Sequence, residues 1–157
     1  MQKEYICKKA AETVKLYGSD PFEAVIQAGA TLSFKDLGSL KGAYFGNMSK
    51  PAIVINRELD EQLQKTVCAH ELGHHVLHKG QMLSCENASF EDAGIMEREA
   101  NVFAAYFLID YSQALELLRD GYSIEQTAAQ LGTDKNLLLF LLSTKGLTES
   151  PESSFLR

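Results

Sequence analysis

All four histidines of this 157-residue chain fall within HELGHHVLH, at positions 70–78. The first five of these residues have the pattern HExxH. On a helix, His70 and His74 lie on the same face with about 5 to 6 Å between their Cβ atoms, so both rings can reach one ion. Zinc accepts neutral imidazole nitrogens, and a catalytic zinc site takes three protein ligands and leaves a fourth position for water. Glu71 can take a proton from that water, because the ion lowers the pKa of the water toward 7.

The other two histidines are not predicted to bind the same ion. His78 follows His70 by eight residues, which is about 12 Å along a helix axis. We expect His78 to contact a ligand from behind or to lie in the core. His75 is turned about 100° from His74 around the helix, so it is expected to face elsewhere.

The third ligand must then come from another element, and a second predicted helix offers one. Glu97, Ala100, Asn101 and Ala104 share one face of this helix. Its small residues allow close approach to the histidine helix, where Gly73 also indicates tight packing, since glycine costs a helix about 1 kcal/mol relative to alanine. Glu97 can point at the ion. Asn101, one turn further on, can accept a hydrogen bond from the N–H of a ligand imidazole and so fix its tautomer.

Spacing alone leaves the assignment of Glu97 open. A solvent-exposed helix carboxylate is an equally ordinary role for it, and Glu99 points roughly the opposite way. Three other acidic residues are rival ligands: Glu86, Glu91 and Asp92.

The periodicity of apolar residues predicts the elements that hold these side chains. An amphipathic N-terminal helix ends at Gly18, a second helix begins after Asp20, and the histidine helix runs from residue 58 to about 79. Three short β-type runs between residues 32 and 56 (LSF, GAYF and AIVIN) predict a small antiparallel sheet. The Glu97 helix runs from about 94 to 109, and two or three shorter helices follow. The predicted fold class is therefore α+β, with the sheet packed on the helices that carry the ligands and with further helices at the C-terminus.

Length favours one domain. We expect it to span residues 1–143, with a catalytic core at 1–109 and a helical C-terminal subdomain at 110–143. Residues 144–157 are predicted to form a flexible tail.

Composition excludes several functional classes. No apolar run approaches the roughly 20 residues that cross a bilayer, and charged residues interrupt the N-terminal segment where a signal peptide would be apolar. The net charge of −6 argues against general attraction to nucleic acid or anionic lipid. Cys7, Cys68 and Cys85 form no CxxC pair, which is typical of free thiols in a reducing compartment. We therefore expect a cytoplasmic protein with no membrane contact.

Residues 123–143 have the spacing of a helix-turn-helix, with caps at Ser123 and Thr133 and a turn at Gly132. A DNA-reading helix needs basic and amide side chains on its exposed face. The second helix here begins DKN and continues LLLFLL. We expect these helices to pack or to dock a partner, with no direct binding of nucleic acid.

Two segments together resemble the ImmA/IrrE family of metallopeptidases: TVCAHELGHHVLH at 66–78 and EREANVFAAYFLI at 97–109. The family pattern is an AHELGHxxLH helix followed by an ExxAN-FAA helix. In that family the histidines of HExxH and the glutamate of ExxAN bind zinc, and the HExxH glutamate is the base. The resemblance covers roughly residues 20–109. It implies His70, His74 and Glu97 as metal ligands and Glu71 as the catalytic base.

The same resemblance implies a zincin-type, gluzincin-like active-site helix pair in a small α+β domain. It also implies an antirepressor that cuts helix-turn-helix repressors of mobile elements or stress regulons. One departure from the family is LID after FAAYF, where many members have a proline.

The predicted function is thus that of a zinc-dependent endopeptidase acting on a protein. The alternative is a non-catalytic metal-binding regulator that binds a repressor or toxin partner without cutting it, although such a binder has no need of Glu71. The residue that stabilises the oxyanion stays open between Tyr44, Tyr106 and His75. Residues 43–45 are a candidate edge strand for pairing with an extended substrate.

Overall fold

The structure is a computed structural model, and it describes residues 1–80 and 90–146, with side chains of the second range described from residue 94. The predicted α+β class is confirmed. In chain order, the helices and strands of the described ranges are α1 (Lys3–Tyr17), α2 (Pro21–Gln27), β1 (Thr31–Lys35), β2 (Gly42–Phe45), β3 (Ala52–Asn56), α3 (Glu61–Leu77), α4 (Phe90–Leu108), α5 (Tyr111–Arg119), α6 (Ile124–Leu131) and α7 (Lys135–Thr144).

Local capping sets the helix ends that periodicity gave only approximately. Gly18 ends α1 with a φ of +87°, in the region that glycine adopts without strain. α3 begins at Glu61, three residues later than predicted, because the carboxylate of Asp60 accepts a hydrogen bond from the backbone N–H of Leu63 at 2.8 Å. α4 begins at Phe90, four residues earlier than the predicted start.

The three predicted strands form one sheet, but the prediction of an antiparallel sheet was wrong in part. The strand order is β1-β3-β2; β2 and β3 are antiparallel, whereas β1 and β3 are parallel. The chain leaves β1, passes beyond the position of β3 to form β2, and returns through a hairpin to fill the gap. Neighbouring strands lie about 4.8 Å apart, so the loop at 36–41 has to span only about twice that distance. The mixed sheet follows from this order, which the alternation of apolar residues does not encode.

α3 lies at the centre of the fold, with α1, α2, α4 and both β2 and β3 packed around it. Every residue from Thr66 to His75 is buried. The close approach predicted at Gly73 is confirmed: a Cβ at this position would lie 3.1 Å from Cδ1 of Phe103 and 3.2 Å from Cα of Ala100. α3 and α4 are therefore in near-backbone contact at the level of the histidines.

The C-terminal helices pack as expected, with one correction. Ser123 caps α6 in a full capping box with Gln126, and Gly132 ends α6 with a φ of +64°. α7 is capped by Asp134 and not by Thr133, because the Asp134 carboxylate accepts from two backbone N–H groups of the first turn. Five of the six residues in the apolar run of α7 are buried, and α7 packs on α4. Most of the predicted tail at 144–157 lies outside the described residues.

The described part of the chain contains no helix with the length and apolar character of a membrane span. Cys7 and Cys68 are free thiols, as predicted, and burial raises the pKa of Cys68. Cys85 lies outside the described residues.

Candidate metal centre

The three side chains predicted as metal ligands meet at the α3–α4 interface. Nε2 of His70 lies 3.0 Å from Oε2 of Glu97, and Nε2 of His74 lies 3.0 Å from Oε1 of the same carboxylate. One ligand atom from each of the three residues falls within 4.8 Å of the other two. The two histidines are buried, whereas the Glu97 side chain keeps 30% of its exposure. The cluster is thus anchored in the core and open on the side of Glu97.

His70 is held from behind as the sequence predicted. Its Nδ1 lies 2.8 Å from Oδ1 of Asn101, which is 3% exposed. An amide oxygen can only accept, so Nδ1–H of His70 donates to it. The lone pair of the ring is then on Nε2, the atom that faces Glu97, and this is the tautomer that binds a metal ion.

His74 has a different partner. This partner is His78, which was expected either to contact a ligand histidine or to lie in the core. Nδ1 of His74 lies 2.9 Å from Nδ1 of His78. Burial lowers the pKa of His74 and brings the pKa of His78 to about 4. Both rings are therefore neutral near pH 7, and a neutral imidazole is the form that binds a metal ion.

Glu71 lies on the same buried turn of α3 as the two histidines and against the start of strand β2. A Cβ placed on Gly42 would lie 3.1 Å from Oε1 of Glu71 and 2.6 Å from Cγ1 of Val67. Glycine is therefore required at this position for β2 to approach the helix. Gly42 was not predicted as part of the site, although a glycine at the head of a strand can mark a close approach of the backbone.

Two of the three residues that are candidates for stabilising the oxyanion form a hydrogen bond with one another. His75 donates from Nε2 to the backbone carbonyl of Ala28 at 2.9 Å, so its Nδ1 accepts from the Tyr44 hydroxyl at 3.1 Å. Burial raises the pKa of Tyr44, which keeps the hydroxyl protonated as a donor. The Tyr44 ring also stacks on His74, with centroids 6.4 Å apart. His75, expected to face away from the cluster, thus ties α2 and β2 to α3.

The third candidate, Tyr106, contacts other parts of the molecule. Its hydroxyl lies 3.4 Å from Oγ1 of Thr144, and Lys145 lies over its ring. Of the three, Tyr44 is therefore the candidate whose ring contacts a metal ligand.

The three rival ligands fall in the part of the chain outside the described residues: Glu86, and the side chains of Glu91 and Asp92. Oε1 of Glu99 lies 3.8 Å from Nε2 of His78, and Glu99 is not one of the three residues of the cluster. Within the described ranges, His70, His74 and Glu97 form the group that could hold a metal ion.

The donor set fits a zinc ion. Ligand atoms at about 2.0 to 2.1 Å from a tetrahedral ion lie about 3.3 Å from one another, close to the 3.0 Å that separates Glu97 from each histidine. The hydrogen bond that Nδ1–H of His70 donates to Asn101 leaves the lone pair of the ring on Nε2, the nitrogen that binds the ion. Two imidazoles and one carboxylate are a donor set of the kind that catalytic zinc sites use.

Two histidines of an HExxH helix and a glutamate of the next helix thus form a group that could hold a metal ion. Comparison with known families matches residues 26–143 to the IrrE N-terminal-like domain of peptidase family M78. The match covers more than half of the chain, from α2 through α7, so the chain belongs to the ImmA/IrrE family of metallopeptidases. A comparison with curated proteins gives no match.

Proposed function

We propose that this protein is a zinc-dependent endopeptidase that cleaves a helix-turn-helix transcriptional repressor and so acts as an antirepressor. The observation that carries the peptidase part is the place of Glu71, buried on the turn of α3 between the two histidines that meet Glu97. A structural zinc site would instead fill its fourth position with another protein ligand.

Each residue of the site has a defined task in this proposal. His70, His74 and Glu97 would hold the ion. A bound zinc ion lowers the pKa of water and polarises a peptide carbonyl. Glu71 accepts a proton from the attacking water and passes it to the leaving amine, as a carboxylate general base and acid. Tyr44, whose ring stacks on His74, is the proposed donor to the oxygen that becomes negative, and it would exchange its bond to His75 for this one.

The substrate would be held in extended form along β2. This strand pairs with β3 on one side and is one of the two outer strands of the described sheet. It begins at Gly42, against Glu71, so a peptide added to its outer edge would pass the base. Main-chain pairing of this kind binds many sequences, with side-chain pockets adding selectivity.

A repressor as substrate rests on family membership, and the remaining surface supports a protein partner over DNA. The exposed start of α7 carries Lys135, which is already paired with Glu125 of α6 at 2.7 Å. With an overall charge of −6, few phosphate contacts are available to this face.

The test compares the wild type with Glu71→Gln, which keeps the size of the side chain and removes the base. Both proteins are loaded with zinc and incubated with a panel of helix-turn-helix repressors, and fragments are followed by mass spectrometry. We expect Glu71→Gln to keep its zinc while cleavage falls by orders of magnitude. Glu116→Gln, an exposed change on α5, is the control and should cleave normally.

The same assay separates the enzyme from the regulator. If wild type and Glu71→Gln relieve repression equally and neither produces fragments, the peptidase proposal is wrong and binding without cleavage takes its place.

A further inference from the structure

Behind His74, on the side away from Glu97, lie a second imidazole and then a carboxylate, in the order His74, His78 and Glu99. We propose that His78 and Glu99 are positioning residues, which hold His74 in the tautomer and orientation that bind a metal ion. This inference rests on the metal-binding part of the proposed function and is independent of the substrate.

The proton positions follow from the geometry. If Nε2 of His74 binds an ion, its proton must be on Nδ1, and the group 2.9 Å from Nδ1 is Nδ1 of His78. His78 must therefore accept at Nδ1, and a neutral imidazole that accepts at one nitrogen carries its proton on the other. Nε2–H of His78 then points toward the carboxylate of Glu99, 3.8 Å away.

The burial of His78 and Glu99 favours this placement of the proton on His78. His78 and Glu99 are 4% and 9% exposed, so the ring and the carboxylate interact in a poorly hydrated environment. Nε2 of His78 has no hydrogen-bond partner among the described residues, and the carboxylate of Glu99 lies 3.8 Å from it. The same carboxylate lies 3.9 Å from the N-terminal ammonium group of Met1. The backbone of His78 is fixed as well, because its N–H donates to the carbonyl of His74 at 2.8 Å.

The two ligand histidines are thus held by different means. His70 meets a single amide oxygen, that of Asn101. His74 meets an imidazole that could present either a lone pair or a proton, and only the lone pair suits metal binding. Glu99 resolves this ambiguity, since its negative charge favours the His78 tautomer with the proton on Nε2.

Two substitutions of His78 separate the hydrogen bond from the packing. His78→Phe keeps a ring of similar size and removes the acceptor, and we expect zinc affinity to fall by about 10- to 100-fold. His78→Asn places an amide oxygen near the position of Nδ1, the arrangement that Asn101 already provides for His70. We expect His78→Asn to bind zinc within about threefold of the wild type.

Glu99→Ala tests whether Glu99 sets the tautomer of His78. In the wild-type background we expect a smaller loss of zinc affinity, of about threefold or more, because Glu99 acts through His78. In the His78→Asn background, an amide oxygen needs no selection of tautomer, so Glu99→Ala should have no further effect. This non-additivity is the signature of a coupled pair.

Zinc dissociation constants are measured by competition with a chelator, and thermal unfolding of the metal-free proteins checks folding. Nitrogen-15 NMR of the zinc-loaded wild type gives the tautomers directly, without any substitution. We expect protons on Nδ1 of His74 and Nε2 of His78.

A proton on Nδ1 of His78 in the zinc-loaded protein would overturn the inference. So would equal zinc affinity in the wild type and His78→Phe, or an equal loss in His78→Phe and His78→Asn. If the wild type itself binds no zinc, the proposed function fails and this inference fails with it. Normal zinc binding without cleavage would contradict only the peptidase proposal.

Discussion

Two helix pairs differ in the polar side chains that they bury. α3 and α4, here called the polar pair, bury histidines and carboxylates beside their apolar residues, whereas α6 and α7, the apolar pair, bury apolar residues and one threonine. Between Thr66 and His75, α3 buries three histidines and a glutamate. α7 buries four leucines and a phenylalanine. Burying apolar surface stabilises a fold, whereas a buried polar group destabilises it by about 1 to 3 kcal/mol unless it is hydrogen-bonded. The polar pair therefore depends on hydrogen bonds between its buried groups, and the apolar pair depends on the burial of apolar surface.

The partners of the buried histidines show how the polar pair is tolerated. His70 is bonded to Asn101, His74 to His78, and His75 to both Tyr44 and Ala28. Each ring therefore has a defined neighbour from α4, from the end of α3, or from the sheet side. Removing a partner should change the site more than the fold, and removing a leucine should do the reverse.

The largest expected effect is the loss of metal from the polar pair. The wild type should carry about one zinc ion per chain, and Glu97→Ala should lower zinc affinity on the order of 100-fold or more, because changes behind the ligands alone cost 10- to 100-fold. The Glu97 side chain is 30% exposed, so the fold should persist. Elemental analysis after dialysis measures the metal.

Two further variants complete that experiment. His74→Ala should lose zinc as Glu97→Ala does, and Glu116→Ala, exposed on α5, should keep it. Full zinc occupancy in Glu97→Ala would show that another acidic residue is the third ligand. The polar pair would then not hold the metal by itself.

The site was more predictable from the sequence than the sheet was. The shared face of His70 and His74 follows from helical spacing, because residues three and four apart share a face, and a small-residue face allows the Glu97 helix to meet theirs. Spacing left Glu97 open among several acidic residues, and the family resemblance favoured it. Strand direction has no such local code. The parallel pairing of β1 with β3 depends on where the chain returns after β2, which is a property of the whole domain.

Contacts that depend on exactly where a helix begins, or on how two helices are aligned, could not be predicted from the sequence either. The Glu99–His78 approach at 3.8 Å requires the final register of α4 against α3. The cap on α7 shifted from Thr133 to Asp134 because either side chain could accept the first-turn N–H groups, and local geometry chose between them.

A smaller effect is expected from the apolar pair. Leu138 of α7 is fully buried, so Leu138→Ala should lower the free energy of unfolding by about 2 to 5 kcal/mol through lost burial and the cavity left behind. Zinc affinity of the folded protein should not change, because α7 carries no ligand. Urea denaturation and the chelator competition measure the two quantities.

Leu16, which is 68% exposed on α1, provides the matched control. Leu16→Ala should change the free energy of unfolding by less than about 0.5 kcal/mol. A marked loss of zinc affinity in Leu138→Ala would show that the apolar pair also sets the geometry of the metal site. It would contradict the expectation that this pair affects only stability.

The smallest effect concerns the single charged contact between α6 and α7. Nζ of Lys135 lies 2.7 Å from Oε1 of Glu125, and this hydrogen bond lowers the pKa of Glu125 below its ordinary value. A carboxylate with a lowered pKa in the folded state stabilises the fold above its unfolded pKa, and this contribution is lost as the pH falls through the folded pKa. Carbon-13 NMR titration should give a Glu125 midpoint below that of an ordinary glutamate, and Lys135→Met should return it upward. Because the pair is solvent-exposed, salt should weaken the shift. A Glu125 midpoint that is the same in the wild type and in Lys135→Met would show that the two helices are joined by their leucines alone.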